Sequence, residues 1–152
     1  MIEYEGDLWD LVADATVITT NGFVKSNGRA VMGRGCAREA RDRYKDLPAS
    51  NVDELLGYLL KTEGNHVHDL GLWKGRRLIT FPTKHHWREA SDLELIMRSS
   101  GELVVLANTL QLTNIAMPRP GCGSGRRRWS DVRPLIEEVL DDRFIVCHLS
   151  GD

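Results

Sequence analysis

The stretch FPTKHHW, residues 81–87, places a lysine and two histidines directly behind an apolar run. The run Leu78–Phe81 has the character of a short buried strand, and Pro82 is expected to end its ladder. An amine at the end of a strand can trap an aldehyde as a Schiff base, or stabilise a leaving oxygen as an ammonium group. Taken alone, Lys84 is more simply interpreted as a solvated surface residue, the commonest fate of a lysine.

Two glycine-rich loops are the second feature, NGFVKSNGRAVMGRG at residues 21–35 and PRPGCGSGR at residues 118–126. Each follows an apolar run and precedes a helical pattern, and ligands bind at the carboxyl edge of open α/β sheets. Glycines let backbone amides approach a phosphate, although they also serve simply as turn residues. Neither loop contains GxxxxGK[ST] or a dinucleotide-binding GxGxxG unit. A phosphate ligand is predicted, held differently from the ligands of ATP kinases and dehydrogenases.

Histidines raise two further possibilities, a metal site and an acid/base pair for the lysine. His66, His68, His85 and His86 have no acid or thiol at ligand spacing, so no metal site is predicted. An imidazole titrates near neutrality, and His85 or His86 is therefore a candidate acid/base partner of Lys84.

A basic run, Arg126-Arg127-Arg128-Trp129, follows the second glycine loop. Such a run is usually a solvated face, but three arginines and an indole could also hold a nucleic-acid backbone and stack a base. Trp87 and Arg88 could extend the same surface. Trp9 and Trp73 are interpreted as packing residues.

The elements that must position these residues alternate between strand and helix patterns, which predicts an α/β layer fold. Lys74-Gly75 between two apolar runs indicates a hairpin, so the sheet is expected to be mixed. The strands are predicted at residues 15–19, 67–72, 78–81, 114–117 and 144–148, with a weaker one at 2–4.

Helices are predicted from the spacing of apolar residues and from capping signals. Ser50 with Asp53 and Ser91 with Glu94 are interpreted as capping pairs, and Gly101 as a weak point of the helix that runs to about Leu112. The other two helices are predicted from about residue 33 to 44 and behind Ser130. The whole chain, residues 1–152, is expected to be one domain with helices on both faces of the sheet.

Composition limits the remaining function classes. The chain has 152 residues and a formal net charge of -2, so only a local patch could bind nucleic acid. Its three cysteines are far apart in sequence, which fits a reducing cytoplasm better than a disulfide scaffold. The acidic N-terminus lacks the features of a signal peptide, and no apolar run is long enough to cross a membrane.

Several motifs resemble the macrodomain family. Gly6-Asp7-Leu8 resembles its GD[IL] element, Asn21 closes the second strand, and Met32-Gly33-Arg34-Gly35 is similar to the loop that wraps the distal ribose. MPRPGCGSG resembles the family's second, phosphate-binding loop. These motifs follow the family's order and spacing, and together they span nearly the whole chain. The resemblance implies a three-layer α/β/α sandwich with a mixed central sheet, and ADP-ribose as the ligand.

The lysine segment narrows the resemblance to one branch of that family. LITFPTKHHWREASDLELI is similar to the DNA ADP-ribosyl glycohydrolase antitoxins (DarG) and to the terminal ADP-ribose protein glycohydrolase of animals, which share a lysine at the position of Lys84. The animal enzyme has an acidic acid/base residue where this chain has Gly125. That departure favours the DNA-type relatives and leaves the proton shuttle unassigned.

The resemblance implies a role for each matching residue. Asp7 would bind the adenine amino group, Asn21 would contact the distal ribose, and Lys84 would act at the anomeric carbon with Asn21 and His85 as the other catalytic candidates. The ligand-binding residues implied are Asp7, Leu8, Thr20, Asn21, Met32, Gly33, Arg34, Gly35, Pro120, Gly121, Cys122, Gly123, Ser124, Gly125 and Arg126.

A lysine nucleophile must lose its proton, and a free lysine titrates near ~10.4. Burial or a neighbouring cation such as protonated His85 or His86 would lower its pKa, whereas a bound diphosphate would raise it. The resemblance, together with Lys84 on its loop, implies a hydrolase that removes ADP-ribose from a nucleic acid or a protein. A non-catalytic ADP-ribose reader and a hydrolase of a small ADP-ribose derivative are the alternatives. No cofactor, metal or membrane contact is expected, and the protein is expected to be a cytoplasmic monomer.

Overall fold

A computed structural model describes residues 1–46 and 51–150 of the chain. In the described residues the core of the fold is a six-stranded sheet with strand order β1-β6-β5-β2-β4-β3. The strands are β1 Ile2–Glu5, β2 Ala15–Asn21, β3 Asp69–Trp73, β4 Arg76–Lys84, β5 Ile115–Pro118 and β6 Phe144–His148. The helices are α1 Cys36–Arg43, α2 Val52–Thr62, α3 Leu93–Leu110 and α4 Trp129–Glu137.

The helices form layers on both faces of this sheet. Successive residues of β2 point to opposite faces, as strand geometry requires. Val17 packs in the cluster that includes apolar residues of α3 and α4, whereas Ile18 packs in the cluster that includes those of α1 and α2. The predicted three-layer sandwich is therefore confirmed.

The predicted hairpin and the mixed sheet are also confirmed. β3 and β4 are antiparallel, and the other neighbouring strands are parallel. Lys74 and Gly75 join β3 to β4 with φ angles of 48° and 82°. Positive φ at both central residues is what a two-residue hairpin turn needs to match the twist of its strands.

The prediction that Pro82 ends its strand is wrong. β4 continues to Lys84, with Thr20 opposite Pro82, and an irregularity in β2 then brings Asn21 opposite Lys84. On the other side of β4, pairing with β3 reaches only Ile79. Pro82 thus lies on a part of β4 that has β2 on one side only, a position where a proline is tolerated.

The helix starts differ from the predictions at several points. Asp92, not Ser91, caps α3, because its carboxylate accepts from the backbone N–H groups of Glu94 at 2.9 Å and Leu95 at 3.3 Å. The helix predicted from about residue 33 begins at Cys36, since Gly33 has a φ of 63° that no right-handed helix can include. Ser130 lies inside the first turn of α4 instead of before it.

Other helix predictions have simpler outcomes. α3 passes through Gly101 without interruption and ends at Leu110, followed by a left-handed Gln111. The predicted cap Ser50 lies outside the described residues, and Asn51 occupies the N-cap position of α2.

Buried side chains confirm one further prediction. Trp9 and Trp73 are 5% and 7% exposed and belong to the core on the α1 and α2 side. All three cysteines are free thiols. Within the described part of the chain, no helix combines the length and the apolar character needed to cross a membrane.

Candidate active site

A cavity of about 550 Å³ lies at the carboxyl edge of the sheet, within the size range of small-molecule sites. Its walls contain Lys84 and most of the predicted ligand-binding residues. These are Asp7, Leu8, Thr20, Asn21, Met32, Gly33, Arg34, Gly35, Gly121, Cys122, Gly123, Ser124 and Gly125. His85, Pro120 and Arg126 are near this edge but do not line the cavity.

One end of the cavity is formed where β1 and β6 end side by side. Gly6 N–H donates to the His148 carbonyl at 2.8 Å, which joins the loop after β1 to β6. Asp7 then caps a short 3-10 turn, because its carboxylate accepts from Trp9 N–H at 3.0 Å. The carboxylate predicted to bind an adenine amino group is thus held at the cavity wall by its own turn.

Asn21 holds the first glycine loop, which we define as residues 22–35. Its side chain is buried; its amide nitrogen donates to the Val31 carbonyl at 2.9 Å, and its amide oxygen accepts from Phe23 N–H at 3.0 Å. Both arms of the loop are therefore joined through one side chain. Asn21 acts here as a positioning residue as well as a wall of the cavity.

Helix α2 fixes the outer part of the first glycine loop. Ala30 N–H donates to the Asp53 carbonyl at 2.9 Å, and Arg29 forms ion pairs with the carboxylates of Asp53 at 3.5 Å and Glu54 at 2.6 Å. Gly57 of α2 approaches the Gly28 carbonyl so closely that a β-carbon at position 57 would overlap it. The loop is thus bound to α2 by backbone contact as well as by charge.

The second glycine loop, residues 118–126, is held by steric fit against the start of α3. Gly121 has a φ of 80°, and a β-carbon there would lie 2.6 Å from Cδ1 of Ile96. A β-carbon at Gly125 would overlap the Ser91 hydroxyl. Any side chain at position 125 would therefore require the Ser91 hydroxyl to move.

Ser91 is the main site residue that the sequence did not reveal. It is 0% exposed, lines the cavity, and its hydroxyl has no hydrogen-bond partner among the described residues. Its backbone is well held, since Ser91 N–H donates to the Gly125 carbonyl at 2.9 Å and its own carbonyl accepts from Arg127 Nε at 2.6 Å. The sequence around Ser91 indicates only a capping pair and does not predict its place in the cavity wall.

His148 was also missed, although a local signal pointed to it. It ends β6 and lines the cavity, with a buried Nδ1 that has no hydrogen-bond partner in the described part of the chain. Extending the strand-end rule from the two glycine loops to β6 would have identified it.

Lys84 places an amine in the cavity wall. Its Nζ donates to the backbone carbonyls of Ser124 at 3.2 Å and Trp87 at 3.4 Å. Burial lowers the pKa of Lys84 from its ordinary value, and repulsion by the Arg126 guanidinium lowers it further. Both effects increase the fraction of neutral amine at a given pH, as a nucleophilic lysine requires.

Three of the histidines have polar partners of their own. His85 Nε2 is 3.2 Å from the Asp92 carboxylate, and its side chain is 55% exposed. His66 contacts the Glu102 carboxylate at 2.7 Å, and His68 contacts the Gly64 carbonyl at 2.8 Å. Over residues 1–46 and 51–150 there is no group of three or more histidine, cysteine and acidic residues that could hold a metal ion.

The basic run 126–129 does not form one surface. Arg127 donates to the Ser91 carbonyl, and the Trp129 indole donates to the Glu3 carboxylate at 2.9 Å. Arg126 donates to the Arg88 carbonyl at 2.7 Å, whereas Arg128 forms an ion pair with Asp131 at 3.2 Å. Arg127 and Trp129 thus contact other parts of the fold, and the contact of this run with nucleic acid stays a prediction.

Three thiols in the cavity wall are not candidates for the nucleophile. Burial raises the pKa of Cys36 and Cys122, and it raises the pKa of Cys147 to about 11. These thiols stay protonated near neutral pH, and a protonated thiol is a poor nucleophile.

Two curated bacterial proteins are similar in sequence. The chain is 30% identical over 137 residues to a DNA ADP-ribosyl glycohydrolase of Thermus aquaticus and 31% identical over 138 residues to one of Mycobacterium tuberculosis. The matches cover 90% of this chain but only 36% and 38% of those relatives, so the chain spans little more than a third of their length. No family model matches the chain.

Solved structures extend the similarity to nearly the whole chain. The macrodomain of Mycobacterium tuberculosis DarG is 28% identical, with a TM-score of 0.76 and 97% of each chain covered. The macrodomain of Thermus aquaticus DarG is 27% identical, with a TM-score of 0.74 over 97% of this chain and 96% of that one. Thermosipho africanus DarTG in complex with ADP-ribose shares the fold, with 21% identity, a TM-score of 0.80, and coverage of 98% of this chain and 41% of that one.

Proposed function

Because the chain has the macrodomain fold and is homologous to the macrodomains of DarG proteins, we propose that it hydrolyses the bond between ADP-ribose and a macromolecule. The adenine lies by Asp7, the diphosphate lies along the two glycine loops, and the anomeric carbon faces Lys84. DNA modified on a thymidine base is the first substrate to test, since the relatives are named DNA ADP-ribosyl glycohydrolases.

One observation carries the proposal. Lys84 places an amine of lowered pKa at the cavity, hydrogen-bonded to the Ser124 carbonyl in the second glycine loop. A protein that only read ADP-ribose would need the loops but no reactive group at this point. The amine therefore favours catalysis over binding alone.

The reaction follows from the chemistry of an amine at an anomeric centre. The neutral Lys84 amine attacks C1″, the anomeric carbon of the distal ribose. The leaving group, a base nitrogen or a carboxylate, takes the electrons of the broken bond and a proton from the amine. The ribose ring then opens as its oxygen takes up a proton, which gives an iminium. Water adds to the iminium carbon, and collapse releases ADP-ribose, a proton and the free amine.

The first experiment is a time course of ADP-ribose release from a thymidine-modified single-stranded oligonucleotide and from a protein modified on acidic residues. We expect release from the oligonucleotide, and at least a ~100-fold loss in Lys84→Ala. Lys61→Ala is the matched control, because Lys61 is an exposed lysine on α2 that lies outside the cavity.

Binding of free ADP-ribose to Lys84→Ala, measured by calorimetry, shows that the variant is folded. Release from the protein substrate alone would keep the lysine chemistry and replace DNA as the substrate. A wild type that binds ADP-ribose and releases nothing from either substrate would be a reader, which contradicts the proposal. Reduction with borohydride during turnover should link ADP-ribose to wild type and not to Lys84→Ala.

Two further expectations belong to the same proposal. The three free thiols fit a reducing compartment, so we propose a cytoplasmic location. The cavity is built from residues of one chain, so we propose that a monomer is active.

A further inference from the structure

A second cavity, of about 540 Å³, adjoins the candidate active site. It is lined by Phe23, Lys25, Val31, His86, Trp87 and Arg88. Val31 and Trp87 line both cavities, and the Trp87 carbonyl accepts the hydrogen bond of Lys84 Nζ. The second cavity therefore begins where the bond to the macromolecule is proposed to break.

Aromatic rings form most of its floor. The His86 and Trp87 rings stack with centroids 5.5 Å apart and planes at 24°, and Phe23 meets His86 edge-on at 4.8 Å. The Arg88 guanidinium lies 4.7 Å from the centroid of Trp87. We call Phe23, His86, Trp87 and Arg88 the ring platform.

The ring platform is open to solvent, and its charge has one sign. Phe23 is 37% exposed and Trp87 is 41% exposed, although apolar rings of this size are usually buried. Lys25 and Arg88 supply two cations, and none of the six described lining residues is acidic. Exposed rings beside cations are the arrangement with which proteins bind single-stranded nucleic acid, since bases stack on rings and phosphates pair with the cations.

We propose that the ring platform binds the nucleobase next to the modified nucleotide of a single-stranded nucleic acid, while Lys25 and Arg88 contact the adjoining phosphates. A strand attached to C1″ must leave the active site beside Lys84, and the platform is the surface it meets first. An acidic peptide could pair with the cations but would leave the rings without a planar partner. The proposed function is needed to place the nucleic-acid strand beside the ring platform. The ability of the platform to bind that strand does not depend on the proposed function.

Binding can be measured without catalysis. Fluorescence anisotropy of a labelled, unmodified single-stranded oligonucleotide should show binding to wild type, and about tenfold weaker binding to His86→Ala and to Arg88→Gln. Tyr58→Ala and Lys61→Gln are matched controls, because both residues are exposed on α2 and line neither cavity. The same sequence as a duplex should bind less tightly, because its bases are already stacked on each other.

Catalysis gives a second, independent readout. An abasic site next to the modified thymidine should lower kcat/KM by about tenfold in wild type and much less in His86→Ala, which has lost one of the rings on which the base stacks. ADP-ribose release from a modified mononucleotide should be the same in wild type and Arg88→Gln, because the mononucleotide has no neighbouring base.

The two readouts separate failure of this inference from failure of the proposed function. If wild type releases ADP-ribose from no substrate, the hydrolase proposal fails, and the anisotropy series alone decides about the ring platform. The proposal that the ring platform binds a base would be overturned by either of two results: wild type does not bind the oligonucleotide, or His86→Ala and Arg88→Gln bind it as tightly as wild type does. If an acidic peptide competes as well as the oligonucleotide and loses affinity in the same variants, the ring platform is a protein-binding site and not a base site.

Discussion

The two glycine loops look alike in sequence, yet they are held in different ways and serve different halves of the site. The first glycine loop is fixed through the amide of Asn21 and through α2, where Arg29 pairs with acidic side chains. The second is fixed by steric fit, because Gly121 and Gly125 leave no space between the loop and the start of α3.

This difference predicts that the two loops affect activity in different ways. The second glycine loop carries the Ser124 carbonyl that accepts from Lys84 Nζ, and the backbone of Gly125 is joined to that of Ser91. The first glycine loop also lines the cavity, and in the described structure it is joined to Lys84 by a backbone hydrogen bond, from Gly22 N–H to the Lys84 carbonyl at 3.0 Å. Disturbing the second loop should therefore slow the reaction, whereas disturbing the first should weaken binding.

Gly125→Ala should have the largest effect on kcat. The added methyl overlaps the Ser91 hydroxyl and lies 3.3 Å from Ser91 Cβ. The hydroxyl can turn aside but Cβ cannot, so the second glycine loop must shift by a few tenths of an ångström, and the Ser124 carbonyl that accepts from Lys84 Nζ shifts with it. A displacement of about 1 Å can cost on the order of 100-fold in rate, so for this smaller shift we expect about a tenfold loss in kcat, with binding of ADP-ribose still detectable.

A second substitution tests the steric cause. Ser91→Gly removes the overlapping atoms and should restore a substantial part of kcat in the double variant. Gly101→Ala is the control, because Gly101 lies within α3, does not line the cavity, and a β-carbon there meets nothing within 4 Å. If the double variant is no better than Gly125→Ala, steric fit against Ser91 is not what holds this loop.

Gly57→Ala, on α2, is the corresponding test of the first glycine loop. Its methyl overlaps the Gly28 carbonyl, a backbone atom that cannot turn aside as a side chain can, so the loop must shift away from α2. We expect Kd for ADP-ribose to rise about tenfold, the effect of losing one or two hydrogen bonds, with kcat at saturation nearly unchanged. Calorimetry and steady-state kinetics measure the two quantities separately.

Gly101→Ala serves as its control, because it is a helix-interior glycine with open space around it. It should stabilise the protein by about 0.5–1 kcal/mol and leave Kd unchanged. If Gly57→Ala lowered kcat by the same factor by which it raises Kd, the division of roles between the loops would be contradicted.

The pH dependence of kcat/KM gives a smaller, directional test. Because the pKa of Lys84 is lowered in the free protein, kcat/KM should rise with pH and level off below the pH at which a free lysine titrates. Arg126→Gln removes one cause of the lowered pKa, so the neutral amine becomes rarer at each pH. The profile should shift to higher pH, with a several-fold lower rate below the plateau.

Arg128→Gln should leave the profile in place, since Arg128 pairs with Asp131 and not with the site. A profile that stays the same in Arg126→Gln, or one that falls as pH rises, would favour a charged lysine that acts electrostatically.

Ser91→Ala should have the smallest effect. The hydroxyl is buried without a partner in the described structure, so its removal should leave the free protein as stable or up to about 1 kcal/mol more stable. A bound diphosphate can supply that partner, so the rise in Tm caused by ADP-ribose should be smaller in Ser91→Ala than in wild type. A lower Tm of the free variant would indicate that the hydroxyl stabilises the second glycine loop without ligand.

The sequence by itself determined the features that depend on neighbours along the chain. The last strand has the predicted bounds, residues 144–148, because a short apolar run ends there on both sides. Lys74-Gly75 fixed the hairpin, since both residues accept positive φ. The glycine loops were found because strand, loop and helix follow one another directly, and that order places the loops at one edge of the sheet.

Only the tertiary structure decided which groups meet at that edge. The cation that lowers the pKa of Lys84 is Arg126, more than forty residues later, and not the adjacent His85, whose side chain turns to Asp92. Ser91 matched a capping pattern, yet packing against Gly125 buried its hydroxyl in the cavity wall. Such contacts depend on how strands and loops distant in sequence pack together, and local spacing carries no information about that.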